Sequence, residues 1–310
     1  MERLLGIEIG GTKLQLVAGD AHGNIYDRRK FIVARESGAV GIRRQIEQSL
    51  PELISKHNPA AIGVGFGGPV DWKTGKICCS HQIEGWSEFD LAGWLQSFSG
   101  VASRIDNDAN VAALGEAING AGRGHDPVFY VTLGSGVGGG LVVGGKIYHG
   151  VTPGEAEIGH VRLDRDGTTV EARCSGWAVD HRIRELVKSE PASLLAKLMK
   201  DSAGNEAQYI GTALAQEDAA ARMLLLNTAD DLAFGLSHAV HLFHPQIIVL
   251  GGGLSKIGTP LRAAVADALQ KFVMEAFIPG PRIELTQLDE DAVPVGSLIL
   301  AAQVLLGNKT

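Results

Sequence analysis

The chain has 310 residues, of which 45% are hydrophobic and 20% are charged, and its formal net charge is −7. This length predicts two lobes or one large α/β unit with a sizeable core. No run of about 18 apolar residues could cross a membrane, and no cluster of Lys and Arg offers the attraction that nucleic-acid binders need. We therefore expect a protein that binds neither membrane nor nucleic acid.

The start of the chain and the cysteines indicate a cytoplasmic protein. An apolar run at 4–9 follows Met1 without a basic segment or a cleavage site, so no targeting segment is expected. Cys78, Cys79 and Cys174 are an odd number that includes a vicinal pair, which favours reduced thiols over a disulfide framework.

The first part of the chain is predicted to open with a β-meander and to continue with alternating helices and strands. The predicted elements are strands at 4–9, 14–18 and 25–33, a helix at 39–57, strands at 60–66 and 101–105, and a helix at 109–119. The last helix is expected to end at the stretch Gly120-Ala121-Gly122, because glycine commonly ends helices.

After that break the opening pattern of strand, glycine-rich turn and strand recurs, which predicts a second lobe. The elements are strands at 128–133, 141–143 and 146–148, mostly helix at 176–244, a strand at 246–250, and helices at 260–276 and 296–306. We assign residues 1–118 and the C-terminal helix at about 296–310 to a smaller N-terminal lobe. Residues 119–295 form a larger C-terminal lobe, with a hinge at 118–124.

Three glycine-rich turns follow predicted strands, at Gly10 to Lys13, Gly134 to Gly139 and Gly251 to Gly253. Glycine lets backbone N–H groups approach a phosphate closely, although each turn alone is also explained as an ordinary tight turn. The second turn has G-x-G-x-x-G spacing but continues as a hairpin, which excludes a dinucleotide fingerprint. A P-loop fails as well, because Ile147 replaces the required Ser or Thr.

The segment Asp106-Asn107-Asp108-Ala109-Asn110 lies where a strand ends and a helix begins. Phosphoryl transfer needs a carboxylate on a rigid element within reach of the attacking hydroxyl, and Asp108 fits that role. The alternative is that Asp108 caps the helix. Asp106 or Asn107 could serve as the cap instead.

Two further groups of polar residues are candidates. Glu8, beside the first turn, could hold Mg²⁺ directly or through water, or it could face solvent, because Ile7 and Ile9 alternate to the opposite face. Gly154 to His160 includes Glu155, Glu157 and His160, and these side chains could bind several sugar hydroxyls. A lone histidine is more often a structural residue, and the surrounding cluster favours the binding role.

Five motifs together resemble the ROK family of bacterial sugar kinases and repressors. They are Ile7 to Lys13, Asp106 to Asn110, Leu133 to Gly140, Glu157 to His160 and Ile248 to Leu254. The resemblance implies an α/β, actin-like and hexokinase-like (ribonuclease H-like) two-lobed ATPase fold. ATP and Mg²⁺ would lie in its central cleft, and the γ-phosphate would pass to a hexose or related sugar at the 6-hydroxyl, as in glucokinases. A homodimer is left open.

The resemblance also implies roles for single residues. Asp108 matches the catalytic base of the family. The residues that match its sugar site are Gly68, Asn107, Asp108, Glu157 and His160. The residues that match its nucleotide-binding turns are Gly10, Gly11, Thr12, Lys13, Gly134, Ser135, Gly136, Gly252 and Gly253.

The sequence departs from the family pattern at several positions. Many members follow the histidine with C-x-C-G-x-x-G-C-x-E, which forms a structural zinc site, whereas this chain retains only Cys174 beside His160. Two ligands cannot complete the tetrahedral site that zinc prefers, so we predict no zinc. Gly176 replaces the motif's glutamate, a usual sugar contact, Glu8 replaces an aspartate, and Gly67 stands where proline is common.

The same motifs leave two other functions as alternatives, a repressor and a sugar-binding sensor. Family repressors have a helix-turn-helix ahead of the kinase fold, whereas this chain begins at the first strand, so a repressor is not expected. A sugar-binding sensor with weak catalysis is the stronger alternative because of Gly176, and Asp108 favours turnover.

Overall fold

The computed structural model describes residues 2–80, 83–152, 154, 156–200, 202 and 204–307. The chain divides into two compact units. The first unit comprises Met1–Gly124, Gly140–Glu155 and Leu288–Thr310, and the second comprises His125–Gly139 and Ala156–Gln287. The lobe boundaries and the hinge expected from the sequence stay a prediction.

The regular elements follow one another as strands and helices numbered here in chain order. The strands are β1 (Leu4–Ile9), β2 (Lys13–Gly19), β3 (Ile25–Ile32), β4 (Ala61–Phe66), β5 (Val70–Asp71), β6 (Lys76–Ile77), β7 (Phe89–Asp90), β8 (Ser103–Asn107), β9 (Val128–Leu133), β10 (Val137–Val143), β11 (Lys146–Ile147), β12 (Ile247–Gly251) and β13 (Arg282–Leu285). The helices are α1 (Gly38–His57), α2 (Leu91–Ser99), α3 (Asp108–Asn119), α4 (Val170–Cys174), α5 (Gly176–Ser189), α6 (Leu194–Leu198), α7 (Ile210–Leu214), α8 (Ala219–Phe243), α9 (Thr259–Leu269) and α10 (Ala292–Gly307).

The first unit is built on a five-stranded sheet with the order β3-β2-β1-β4-β8. β2 is antiparallel to its neighbours β1 and β3, and β1, β4 and β8 are parallel. β1 and β4 are buried along their whole length, as expected for strands covered on both faces. A small sheet with the order β5-β6-β7 follows β4.

Helices cover this sheet closely. A core cluster combines apolar side chains of β1, β2 and β4 with those of α1 and with Trp86. Helix α10 lies so close to β4 that a Cβ on Gly63 would stand 1.9 Å from the carbonyl oxygen of Ser297. Glycine is therefore required at position 63 by this helix.

The second unit contains the parallel strands β9, β12 and β13. They belong to a sheet with the order β11-β10-β9-β12-β13, and the chain passes into the first unit within β10, between Gly139 and Gly140. The long helix α8 packs against α9 and α4 and buries a stripe of small and aliphatic side chains.

Most predicted elements are present, and the differences have simple causes. The strands β5, β6 and β7 were not predicted, because two residues are too few to show a period. Helix α10 begins at Ala292 rather than near 296, with Pro294 in its first turn, where a missing N–H removes no helical hydrogen bond. No helix among the described residues combines the length and apolar character needed to span a bilayer.

Candidate active site

Three predicted segments of the first unit meet where its parallel strands end. The register aligns Ile9 of β1 with Phe66 of β4 and Phe66 with Asn107 of β8. The residues that follow are therefore neighbours, and the N–H of Gly67 donates to the carbonyl oxygen of Ile9 at 2.8 Å. Parallel strands thus bring the first glycine turn, the loop at Gly67 and Gly68, and Asp108 to one edge of the sheet.

The start of α3 fixes the backbone of Asp108. The side-chain oxygen of Asn107 accepts hydrogen bonds from the N–H groups of Ala109 and Asn110, at 2.9 and 3.4 Å. Asn107 is therefore the cap, Asp108 is the first residue of the helix, and the alternative that Asp108 is the cap is wrong. Asp108 itself is half-buried.

Asn107 and Gly67 shape the surroundings of Asp108. The side-chain nitrogen of Asn107 donates to the carbonyl oxygen of Gly68 at 3.1 Å, which joins the β4 loop to the cap. A Cβ on Gly67 would lie 3.4 Å from Oδ2 of Asp108. Glycine at position 67 therefore leaves space directly beside this carboxylate.

Asp106 supports the same turn from inside the unit. Its side chain is 2% exposed, and Oδ1 accepts from the N–H of Asn107 at 2.9 Å and from the side-chain nitrogen of Asn110 at 3.0 Å. Oδ2 lies 2.7 Å from Nε2 of His149. A buried carboxylate is stable only when such donors surround it.

Glu8 is buried rather than solvent-facing, with 6% of its surface exposed. Oε1 lies 3.0 Å from Nζ of Lys13, and Oε2 accepts from the side-chain nitrogen of Gln15 at 2.7 Å. Burial raises the pKa of Glu8, and the positive charge of Lys13 opposes that rise. Glu8 and Lys13 therefore form a buried ion pair next to the first glycine turn.

The predicted nucleotide turns of the second unit also lie together at strand ends. β12 pairs with β9 so that Gly251 faces Thr132. Gly252 has a positive φ of 80°, and a Cβ there would stand 2.6 Å from the backbone of Leu133. The Gly252-Gly253 turn therefore lies directly against the strand that leads into the turn at Gly134.

Helices α4 and α5 hold the Gly134–Gly136 turn. Glu171 of α4 accepts from the N–H of Val137 at 2.9 Å, and a Cβ on Gly136 would come within 2.6 Å of that carboxylate. The N–H of Gly176 donates to the carbonyl oxygen of Gly134 at 2.7 Å. Gly176, which replaces the family's glutamate, therefore supports this turn in the present chain.

Glu157 and His160 lie on a short 3-10 segment, residues Ile158–His160 and the residue before them. Both side chains are exposed. A Cβ on Gly159 would lie 2.1 Å from the carbonyl oxygen of Val137, so this segment packs against the first residue of β10. Glu155, also noted in the sequence, lies outside the described residues.

Cys174 has the properties of a core thiol. Its side chain is fully buried, and burial raises its pKa to about 12. Because zinc is bound by thiolates, such a thiol is a poor ligand. Across the described ranges, no group of three or more His, Cys, Asp or Glu side chains is arranged to hold a metal ion.

The structure adds residues that the sequence did not single out as parts of the site. His149 and Glu171 each support a predicted motif from a distant point in the chain, and neither belongs to a recognisable pattern. The only available sign for His149 was a polar residue directly after a short predicted strand. Of the two alternatives for the cap, Asp106 and Asn107, the structure shows Asn107, and Asp106 is the buried acceptor behind it.

Comparisons with known proteins show which proteins the chain is similar to. The sequence model of the ROK family matches residues 4–304. A glucokinase from Thermotoga maritima is 29% identical over 303 residues, which is 95% of this chain and 96% of that protein. A glucokinase from Halalkalibacterium halodurans is 29% identical over 313 residues, covering 96% and 94% of the two chains.

A solved structure gives the same result. The ROK family glucokinase from Streptomyces griseus, crystallised in complex with glucose and AMPPNP, superposes with a TM-score of 0.84 at 30% identity. The match covers 97% of this chain and 99% of that one. The α/β, actin-like and hexokinase-like ATPase fold expected from the sequence is therefore confirmed.

Proposed function

The chain belongs to the ROK family and is a sugar kinase, and we propose that it transfers the γ-phosphate of ATP to the 6-hydroxyl of a hexose, with Asp108 as general base. The relatives that support a hexose acceptor are glucokinases from three bacteria. ATP as the donor is supported by the AMPPNP in the Streptomyces griseus structure.

The observation that supports the base is the setting of Asp108. Asp108 is half-buried, it is the first residue of a capped helix, and a Cβ on Gly67 would lie 3.4 Å from its Oδ2. The sugar hydroxyl oxygen forms a bond to the γ-phosphorus while the bond from that phosphorus to the bridging oxygen of ADP breaks. The hydroxyl proton passes to Asp108, and ADP leaves with the electron pair.

The nucleotide would be held mainly by backbone groups. We assign the phosphates to Gly10, Gly11, Thr12, Gly134, Ser135 and Gly136, and the adenosine side to Gly252 and Gly253. Backbone N–H groups in such turns neutralise phosphate charge without a side chain. Lys13 would add a positive charge, since its ammonium is half-buried in the adjoining ion pair.

Mg²⁺ fits this chain as an ion that arrives with the phosphates. Mg²⁺ commonly takes one or two protein carboxylates and completes its shell with water and phosphate oxygens. Glu8 is the carboxylate we assign to it, because a buried anion that lost Lys13 to a phosphate would need another cation. The ion would supply neutralisation of charge on the transferring phosphoryl group.

No structural zinc is part of the proposal. The buried thiol of Cys174, with its pKa of about 12, is unsuited to be a ligand, and Gly167 and Thr169 occupy the positions of two family cysteines. Elemental analysis of the purified protein should find no stoichiometric zinc. One zinc per chain would contradict this assignment.

The residues that we assign to the sugar are those that match the sugar site of the family. We assign Gly68, Asn107, Asp108, Glu157 and His160 to its hydroxyl groups. One hydrogen of the Asn107 amide is committed to Gly68, so the second hydrogen is the donor available to a sugar. Carboxylate and imidazole side chains such as Glu157 and His160 are suited to hydroxyl groups.

The test is to incubate the protein with Mg-ATP and a panel of hexoses and to measure ADP release. Sugar-dependent ADP release with phosphate recovered on the 6-oxygen is the expected result. Sugar-dependent thermal stabilisation without ADP from any hexose would contradict the proposal and favour a sugar sensor. The cytoplasmic location, the homodimer and the lack of nucleic-acid binding stay predictions.

A further inference from the structure

A buried histidine outside the predicted motifs lies behind the start of α3. The side chain of His149 is 8% exposed, and its Nε2 is 2.7 Å from Oδ2 of Asp106. Because a carboxylate can only accept a hydrogen bond, this nitrogen carries the hydrogen. His149 therefore donates to a carboxylate that is 2% exposed.

The other oxygen of Asp106 is bonded to residues on both sides of Asp108. It accepts from the N–H of Asn107, the residue immediately before Asp108, and from the side chain of Asn110, two residues after it. Two hydrogen bonds therefore connect the residues around Asp108 to one buried carboxylate. A rotation of that carboxylate would disturb both hydrogen bonds.

Packing holds the imidazole of His149 in place. Its ring stacks on Trp72 with centroids 4.2 Å apart and planes at 18°. The hairpin of β10 and β11 that leads to His149 rests on α3, because a Cβ on Gly140 would stand 2.8 Å from the carbonyl oxygen of Ala109. The β10–β11 hairpin, which His149 follows, is therefore packed against α3, the helix that begins at Asp108.

We infer that His149 is a positioning residue for phosphoryl transfer. It fixes the carboxylate of Asp106, and Asp106 fixes the backbone around Asp108, so that Asp108 stays within reach of the attacking hydroxyl. This inference rests on the proposed role of Asp108 as base. Without the histidine donor, Oδ2 of Asp106 would be buried and unpaired, and the turn would shift to relieve that cost.

The experiment compares the kinetics of His149→Phe and His149→Gln with those of the wild type. Phenylalanine keeps a flat ring on Trp72 and removes the donor, whereas glutamine keeps an N–H donor. Since misplacement by about 1 Å can cost about 100-fold in rate, we expect kcat of H149F to fall by about 10- to 100-fold. KM for sugar and ATP should stay within about threefold, because the binding groups remain, and H149Q should recover most of kcat.

A matched control is available in the same unit. His57 is 9% exposed and lies 3.1 Å from Asp27, so His57→Phe also removes a buried histidine donor to an aspartate, at the end of α1. Its kcat should equal that of the wild type. Thermal unfolding of both variants shows whether each is folded.

The outcomes separate the inference from the proposed function. A wild type that releases no ADP with any hexose overturns the proposed function and the inference with it. An active wild type with a normal kcat for H149F, an equal loss in H57F, or no recovery in H149Q overturns the inference alone. Should H149F fail to fold, Trp72→Leu, which removes the ring that orients His149, must lower kcat with unchanged KM, and a normal kcat overturns the inference.

Discussion

The two groups of site residues differ in how firmly the protein holds them. In the first unit, Asn107 and Asp106 are tied to the backbone and side chains on either side of Asp108. In the second unit, Glu157 and His160 are exposed on a single 3-10 turn. The group proposed to take the proton therefore stands on a firmly held backbone, whereas two of the groups proposed to bind the sugar, Glu157 and His160, are on a more accessible segment.

Proton transfer and sugar binding make different demands on the position of a side chain. Proton transfer loses rate when the base is displaced by a fraction of a bond length, whereas a hydrogen bond to a sugar hydroxyl tolerates adjustment. Accordingly, substitutions in the first unit should change kcat, and those at the exposed turn should change the affinity for sugar.

The largest effect is expected for Asp108→Asn. The amide keeps the size of the side chain but cannot accept the hydroxyl proton, and a general base contributes about 10²- to 10⁴-fold to the rate. We expect kcat to fall by that factor while sugar still shifts the thermal unfolding temperature. Near-normal turnover measured by ADP release would remove Asp108 from the mechanism.

A smaller effect is expected at the exposed turn. Glu157→Ala and His160→Ala should each raise KM for sugar by about 2- to 10-fold, because one hydrogen bond contributes about 0.5–1.5 kcal/mol to the free energy of binding. Neither should change the unfolding temperature or kcat appreciably. His181→Ala, another exposed histidine of the second unit, is the control and should leave KM unchanged. A lower kcat with an unchanged KM in Glu157→Ala would contradict the expectation that the exposed turn affects sugar affinity and not turnover.

The smallest effect concerns Glu8 and the pH dependence of stability. Burial raises the pKa of Glu8 above the ordinary 4.5, so the folded state holds this proton more tightly than the unfolded chain. The contribution of Glu8 to the free energy of unfolding is therefore fully present below pH 4.5 and is lost as pH rises through the folded-state pKa. Glu8→Gln removes this dependence.

The free energy of unfolding of the wild type and of E8Q is measured by urea unfolding between about pH 4 and about pH 7. A buried carboxylate with a raised pKa titrates in this range. The stability of E8Q relative to the wild type should increase as the pH rises. A relative stability that decreases with pH would mean that Lys13 outweighs burial in the folded protein.

Much of the fold could be predicted from the sequence, because β1, β4, β9 and β12 are mainly apolar runs that lead into glycine-rich turns. The alignment of Ile9, Phe66 and Asn107 could not, since register depends on pairing between distant segments. The motif at 106–110 could be recognised in the sequence, but only the hydrogen bonds show which of the candidates Asp106, Asn107 and Asp108 caps the helix.

The residues that hold the site in place could not be predicted from the sequence for a different reason. His149 and Asp106 are 43 positions apart, and a single histidine after a two-residue strand resembles any loop residue. The same holds for Glu171, which reaches the N–H of Val137 from a helix whose own pattern shows no functional feature. Such partners are defined by contact and by burial, which a linear pattern does not contain.

The packing of α10 on β4 has a consequence for how the protein is made. Leu298 and Ala301 of this helix complete a cluster with Leu4, Val17 and Ala61, residues that are synthesised between 237 and 297 positions earlier. The first unit therefore cannot close this part of its core until α10 has been synthesised. Until then the apolar surface of β1, β2 and β4 stays exposed to chaperones and to aggregation.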